Sequence, residues 1–399
     1  MRTKRLSLLG FSICLILVFS SPSLITVYGA DSGWKWPKSI SILTPSVEQA
    51  QYSMSVGFAT VMEKDTGMKI SVVAINEDTQ RYKMLRNNEV FGHLMGTVAT
   101  ANCMKAESGF ATRDGGPLHV RVIWPSGYYA SALIVRGDSK IKTWKDIKPG
   151  MKRPSIPAIG GIEAGLLLFC STWTGIDDKE FVKVPVGNPP AVMDTVVTGK
   201  ADMTVAPPNM AFVHEAAAGP YGLRFLELNP EKDPEAAARF LAKSPTYGFA
   251  KNVLGPKASL GIVMPVSYND LETTVDADPE LVYHVAKWLG EKYDLYKDQH
   301  EMFSMWGIDQ WRAFLDSSYI PMHEGTIRYL KEIGIWTEKD DKVQKENIEI
   351  IDIWTKAYQD AIAAADAKGI KVDPINKEWM ALWAERSAKL PPFSSPAYR

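Results

Sequence analysis

Cysteine is scarce in this chain, three among 399 residues, and no CxxC pair or Cys/His cluster occurs. That removes the usual zinc and dithiol frameworks. Cys14 follows Phe11-Ser12-Ile13, which lacks the small residue expected ahead of a lipidated cysteine. Cys103 and Cys170 lie among apolar or small residues on expected helices, so they read as buried thiols, with a disulfide between them left open. The main catalytic signatures are missing as well: no GxSxG elbow, HExxH, GxxxxGK[ST] loop or GxGxxG is present. The six histidines are scattered, and His323-Glu324 is adjacent rather than spaced for a metal. No enzyme, metal or cofactor is therefore expected.

Long apolar runs are confined to the N-terminus. Arg2, Lys4 and Arg5 precede an apolar stretch over 6–19, and small residues follow around Gly29 and Ala30. This is the order of a secretory signal, expected to be removed with residues 1–29; the alternative is an uncleaved anchor, disfavoured by the short apolar core and by Pro22-Ser23. Charge of one sign is not in excess, with 45 basic and 46 acidic residues. Loss of three basic residues with the signal leaves 42 against 46, a net of −4. A nucleic-acid partner usually demands a basic face, so none is expected, although an acidic protein can keep a locally positive cleft.

What is present is a chain that is 46% hydrophobic and long enough for two lobes. Strands are expected at 39–43, 69–75 and 120–124, alternating with helices at 47–62, ending at Gly67, and 80–88, and with an apolar segment at 94–104. An apolar strand at 131–136 carries the chain into a second lobe. That lobe holds helices at 165–174 and 190–198 and strands at 181–185 and 203–207, and a return strand follows at 258–265. Such alternation predicts an α/β fold with mixed or largely parallel sheets and helices on both faces. Two crossings between lobes make a hinge. Lobe 1 is placed at 31–135 and 255–340, lobe 2 at 136–254, and a C-terminal helical extension at 341–399. Helices are read at 280–296 and 310–315, and a longer one at 343–367. In the last, Ile350, Ile353, Trp354 and Ala357 form a stripe for packing on a lobe or, by self-association, on another copy. Trp379 and Trp383 stand one helical turn apart and read as core.

The segment 138–161, DSKIKTWKDIKPGMKRPSIPAIGG, joins the crossing strand to a loop that opens a helix. Ile141, Trp144 and Ile147 make a short turn of helix that Pro149-Gly150 stops, and Ser155, Gly160 and Gly161 then lead into the apolar run 165–170. Read locally, this is either an ordinary α/β connection or a helix start whose free N–H groups bind an anion.

The spacing of Asp138, Ile141, Lys142, Asp146, Ile147 and Lys152-Arg153 resembles the TAXI family of substrate-binding proteins of tripartite ATP-independent periplasmic (TRAP) transporters. A second block, 317–334, is similar to that family's Pro-x-His-x-Gly pattern before an aromatic-rich helix, with Pro321, His323, Gly325, Tyr329, Glu332 and Gly334 in order. The likeness spans about residues 38–336. It implies a two-lobed, type II-like periplasmic-binding-protein fold, a periplasmic location, a small organic anion as ligand and TRAP membrane subunits as partners.

Ligands of open α/β sheets sit outside the carboxyl ends of the strands. The first loop there offers Ser46, Gln51 and Tyr52; Ser46 and Tyr52 match the family, whereas Gln51 stands for a tyrosine and Glu48-Gln49 for glycines. Ser46 equally suits a helix cap. In the second loop Asp78 and Arg81 replace a Ser and an Asn of the family, and Arg81 either grips a ligand carboxylate or pairs with Asp78 or Glu77. Thr97, whose family counterpart lines the cleft, follows Gly96. Trp124 and Tyr128 gather at the crossing as stacking surface or core. Gly160, Gly161 and Asn209 complete the set from lobe 2, Asn209 being otherwise a turn residue after proline.

Overall fold

The structure is a computed structural model and describes residues 34–396 apart from 48 and 157–159. The expected signal segment, 1–29, lies outside the described residues, as does Ile159. The chain divides into Met1–Trp36 and Pro37–Arg399. In the first, Trp34 and Trp36 meet edge to face at 5.9 Å. All that follows concerns the second. No helix among the described residues is long and apolar enough to cross a membrane.

The first sheet forms from β1 (Ser39–Thr44), β2 (Lys69–Ala74), β3 (Gly92–Gly96) and β4 (Val120–Ala130), with α1 (Ala50–Thr66), α2 (Asp78–Arg86) and α3 (Thr97–Met104) between them. β1 lies parallel to β2 and β3. α1 stops where the sequence says it should: Gly67 takes φ +77° and its N–H closes on the Glu63 carbonyl. After β4 the chain crosses at Ser131 into β5 (Ala132–Arg136), β6 (Lys152–Ser155), α4 (Gly160–Leu166), β7 (Val182–Pro185), α5 (Pro189–Val197), β8 (Thr204–Ala206), α6 (Ala211–Ala218), β9 (Leu223–Leu226) and α7 (Pro234–Lys243).

These second-lobe strands do not make one sheet. β8, β5 and β9 form an antiparallel trio and β6 pairs with β7 in parallel. Among the described residues one backbone bond, Asp202 N–H to the Lys152 carbonyl at 2.9 Å, links the two near β6. Pro154, with no N–H to donate, stands two residues further along β6 and ends that ladder. Leu133, Val135, Phe169, Trp173, Leu228 and Phe240 fill the core beneath.

The expected return strand at 258–265 is found in part: β10 (Gly248–Lys251) precedes it, 257–259 is a turn of 3-10 helix, and strand begins at Val263, whose carbonyl accepts from Leu228 N–H at 3.0 Å. β10 turns back into β11 (Val263–Thr274), which lies antiparallel to β10, β3 and β4. The first sheet is therefore mixed, and the two long strands β4 and β11 are its buried spine. The architecture is α/β and two-lobed, with two strand-to-strand crossings between the sheets.

The chain continues through α8 (Pro279–Glu291), α9 (Tyr293–Tyr296), α10 (Trp311–Ser317) and α11 (Glu324–Glu332). The Pro-x-His-x-Gly block does structural work here. The Pro321 carbonyl accepts from Val122 N–H at 2.9 Å, His323 N–H donates to the Val122 carbonyl at 3.0 Å, and His323 Nδ1 caps α11 by accepting from Gly325 N–H at 3.1 Å. Gly325 is required by closeness: a Cβ there would lie 2.5 Å from the Pro279 carbonyl oxygen and 2.6 Å from Tyr283 N, both backbone atoms of α8.

The extension consists of α12 (Glu338–Ala367) and α13 (Lys377–Ser387) and packs on the chain itself. Its buried stripe is Asn347, Ile351, Trp354, Tyr358, Ala361 and Ala365, which shifts the expected one: Ile353 is 45% exposed. Cys103 and Cys170 are both free and buried in different lobes. Burial pushes the Cys170 thiol up to about 12, so it is inert near neutrality.

Candidate functional site

The loop after β1 and the first turn of α1 build one wall. Ser46 is half-buried and does not cap α1, since the N-cap position is Gln49. Tyr52 is half-buried, its N–H bonded to the Gln49 carbonyl at 3.0 Å. Gln51 is buried, and its amide donates to Asn269 Oδ1 at 3.3 Å. Asn269 sits on β11 opposite Gly96 of β3, so it also reaches the start of α3. There Thr97 is buried; its carbonyl accepts from the Tyr319 hydroxyl, while its own hydroxyl has no partner among the described residues. The Nδ2 of Asn269 and the hydroxyls of Thr44 and Ser126 are likewise without partners there. Buried donors left open in this way are costly unless something, water or solute, completes them. Gln51, Thr97 and Asn269 thus gather at the carboxyl ends of β1 and β3, and all are neutral.

At the crossing, Tyr128 of β4 and Asn209 of the loop after β8 line one small cavity of ≈ 10 Å³, with Pro208, Asn252 and Met305. That is room for about one water. The Tyr128 hydroxyl donates to the Lys251 carbonyl at 2.8 Å. Gly160 and Gly161 open α4. Two residues after Gly161, Glu163 turns back to accept from Ile156 N–H at 2.6 Å and from Arg153 at 2.9 Å.

Two candidates are corrected. Arg81 is 1% exposed and turns inward, donating to the Ile75 carbonyl and to Asp78, while its Nε has no partner among the described residues. The guanidinium therefore does not face a solute, whereas the Asp78 side chain stays 45% exposed. Trp124 is fully buried, its indole N–H bonded to the Trp306 carbonyl at 3.0 Å and its ring edge-on to Trp311 at 5.1 Å. It is core because β4 is covered on both faces.

Asn269 was missed by sequence reasoning, as was the acid pair beside it. Asp270 and Glu272 on β11 are both fully buried. Glu272 accepts from the Thr100 hydroxyl at 2.6 Å and lies 2.9 Å from His93 Nε2. A polar run, Asn-Asp-x-Glu, inside an otherwise apolar strand was the available signal. Desolvation raises Glu272 to about 8 and Asp270 well above its usual range, and it lowers His93 to about 3. At neutral pH the His93–Glu272 contact is consequently a hydrogen bond between neutral groups.

The sign of the pH dependence follows. Between about 4.5 and 8 the folded state keeps a Glu272 proton that the unfolded chain has lost, so this group makes stability fall as pH rises. His93 acts oppositely between about 3 and 6.5, where only the unfolded chain binds its proton. Above about 6.5 the acids act alone. Urea unfolding should show stability declining from pH 6.5 to 8.5, by up to about 1.4 kcal/mol per pH unit for each proton involved. Glu272→Gln should flatten that decline; parallel curves for the two proteins would refute the assignment.

Residues 42–334 match the family model described as the NMT1-like family, and the chain belongs to it. No curated protein matches it. Among solved structures it is similar to the periplasmic aliphatic sulphonate binding protein SsuA from Escherichia coli, at 14% identity over 91% of this chain and 97% of that one, with a TM-score of 0.36. It is also similar to substrate binding domain 2 of GlnP from Lactococcus lactis in its open conformation, at 10% identity over 69% and 98%, TM-score 0.38. A third is the periplasmic VFT2 domain of BvgS from Bordetella pertussis, at 14% over 67% and 93%, TM-score 0.33.

Proposed function

We propose that the chain is an exported, non-enzymatic solute-binding protein that captures a small organic anion between its lobes and delivers it to the membrane subunits of a TRAP transporter in the periplasm. The observation that supports this most is the crossing itself. Tyr128 and Asn209 come from opposite sides of it yet wall the same cavity, close to strand ends where Thr97 and Asn269, the latter bonded to Gln51, hold unfilled hydrogen-bonding capacity. A solute at those strand ends, outside the one-water cavity, would be held by amide and hydroxyl donors, with Tyr128, Gly160, Gly161 and Asn209 brought nearer by hinge closure.

Native mass spectrometry of the purified protein, followed by a thermal-shift screen of amino acids, keto acids, dicarboxylates and aromatic acids, tests solute capture. A retained small molecule, or a rise in Tm with at least one compound, is expected; no bound mass and no shift across the panel would overturn it. Co-purification with an ATPase instead of a many-span TRAP subunit would remove the TRAP partner while leaving solute capture intact.

A further inference from the structure

A groove of ≈ 1060 Å³ runs from the first turn of α3 across α4 to the end of α7. It starts at Val98, the neighbour of Thr97, and continues over Ala164, Gly165, Leu167, Ile176 and Tyr247. Its floor is a π-helical turn, Leu167–Thr172, in which Trp173 N–H bonds back five residues to the Leu168 carbonyl at 3.1 Å. Such turns widen a helix and recur at functional sites. Val98 and Leu167, which are 45% and 43% exposed, both line this one groove and so add their apolar surface to a single continuous wall. The loops after β1 and β8 also expose Val47 and Met210.

The charge along the groove is unbalanced toward the α7 end. Asp178 is neutralised by Arg153 and Lys183, each at 2.6 Å. Asp177 lies near the middle without an ion pair among the described residues, and caps a short turn through Lys179 N–H at 2.9 Å. Against it stand Arg239, held by the Trp173 carbonyl at 2.8 Å, and Lys243, which is exposed and has no ion pair among the described residues. An amino acid or keto acid would fill little of this space. Pockets of about 300–1,000 Å³ suit larger, mostly apolar ligands with a few fixed polar contacts.

We propose that this groove holds the hydrocarbon body of an amphipathic organic monoanion, a medium-chain or aryl-alkyl acid, with its acid group toward Lys243 and Arg239. This rests on the solute-capture function above and gives it a substrate class. Burying such a chain against Val98 and Leu167 supplies the affinity, and the cations set the orientation.

The probes are octanoate and 4-phenylbutyrate, with 1-octanol as the uncharged control and 2-oxoglutarate as the compact one, titrated calorimetrically. Both monoanions should bind the wild type. Val98→Asp and Leu167→Asp, each at an exposed position that leaves the melting temperature nearly unchanged, should weaken them at least about tenfold. Lys243→Ala should weaken octanoate by about threefold and leave 1-octanol unaffected. Binding of 2-oxoglutarate alone, or octanoate binding equal in all variants, overturns the groove assignment while solute capture stands. Failure of every probe together with an empty native mass spectrum overturns both.

Discussion

Trp379→Ala should lower the unfolding free energy by about 3–5 kcal/mol, the range for emptying a large buried aromatic site. Trp379 is fully buried, its ring meets Tyr358 at 5.6 Å, and its indole N–H donates to the Ala111 carbonyl at 2.7 Å. The loop it holds needs holding. Ala106 and Ser108 both have positive φ, +51° and +53°, a region that non-glycine residues enter at a cost. Trp383 secures the carbonyls of Lys105 and Ala106 at 3.2 and 3.1 Å, and the Tyr358 hydroxyl secures that of Thr112 at 2.8 Å. Three aromatic donors of the extension therefore fix one loop of the first lobe. Trp379→Phe, which keeps most of the ring but leaves the Ala111 carbonyl unpaired, should lose about 1–3 kcal/mol. Urea unfolding measures both. A loss below 1 kcal/mol for Trp379→Ala would mean that the helices beyond the family-matched residues 42–334 are an attachment and not part of the folding unit.

Local stops and caps were legible in the sequence because they depend on one or two residues. Gly67 ended α1 as read; at α5 the cap was available but not read, Asn188-Pro189 standing just ahead of the expected helix at 190–198 with the Asn188 side chain accepting from Ala191 N–H at 3.0 Å. The α7 helix could have been read the same way: Asp233-Pro234 precedes Ala236, Ala237 and Phe240, which bury at helical spacing. The return crossing was harder. The apolar residues of 258–265 resemble one strand, yet Lys257–Ser259 closes a 3-10 turn and the strand begins only at Val263, where β10 supplies a partner. Site residues failed for a related reason. Asp78 and Arg81 are three apart on a helix, a spacing that serves an internal pair as well as a ligand, and the Ile75 carbonyl decides the matter. Trp124 lies on a strand buried on both faces, where alternation carries no phase to separate core from cleft. Asn269 acquires meaning only from Gln51, 218 residues away.

Arg153→Met should cost about 3–5 kcal/mol, as expected when one partner of a buried ionic cluster is removed. The side chain has no exposed surface. Its Nε and Nη2 donate to Asp178 Oδ1 at 2.8 and 2.6 Å, Nη2 also reaches Glu163 Oε1 at 2.9 Å, and Nη1 donates to the Pro154 carbonyl at 2.8 Å. Glu163 passes the constraint on, since its other oxygen takes the Ile156 N–H at the far end of β6. The start of α4 is thereby tied back to the end of β6. Methionine keeps the bulk and removes every donor, leaving Glu163 without its cation while Asp178 retains Lys183. Urea unfolding gives the global loss, and Glu163→Gln in the Arg153→Met background should recover part of it by removing the stranded charge. Hydrogen exchange supplies a local readout: the Ile156 amide should exchange faster in Arg153→Met by more than the global loss accounts for, whereas amides of α13 should follow the global change alone. Equal acceleration at both places would show that Arg153 stabilises the lobe as a whole without holding the Ile156–Glu163 link in particular.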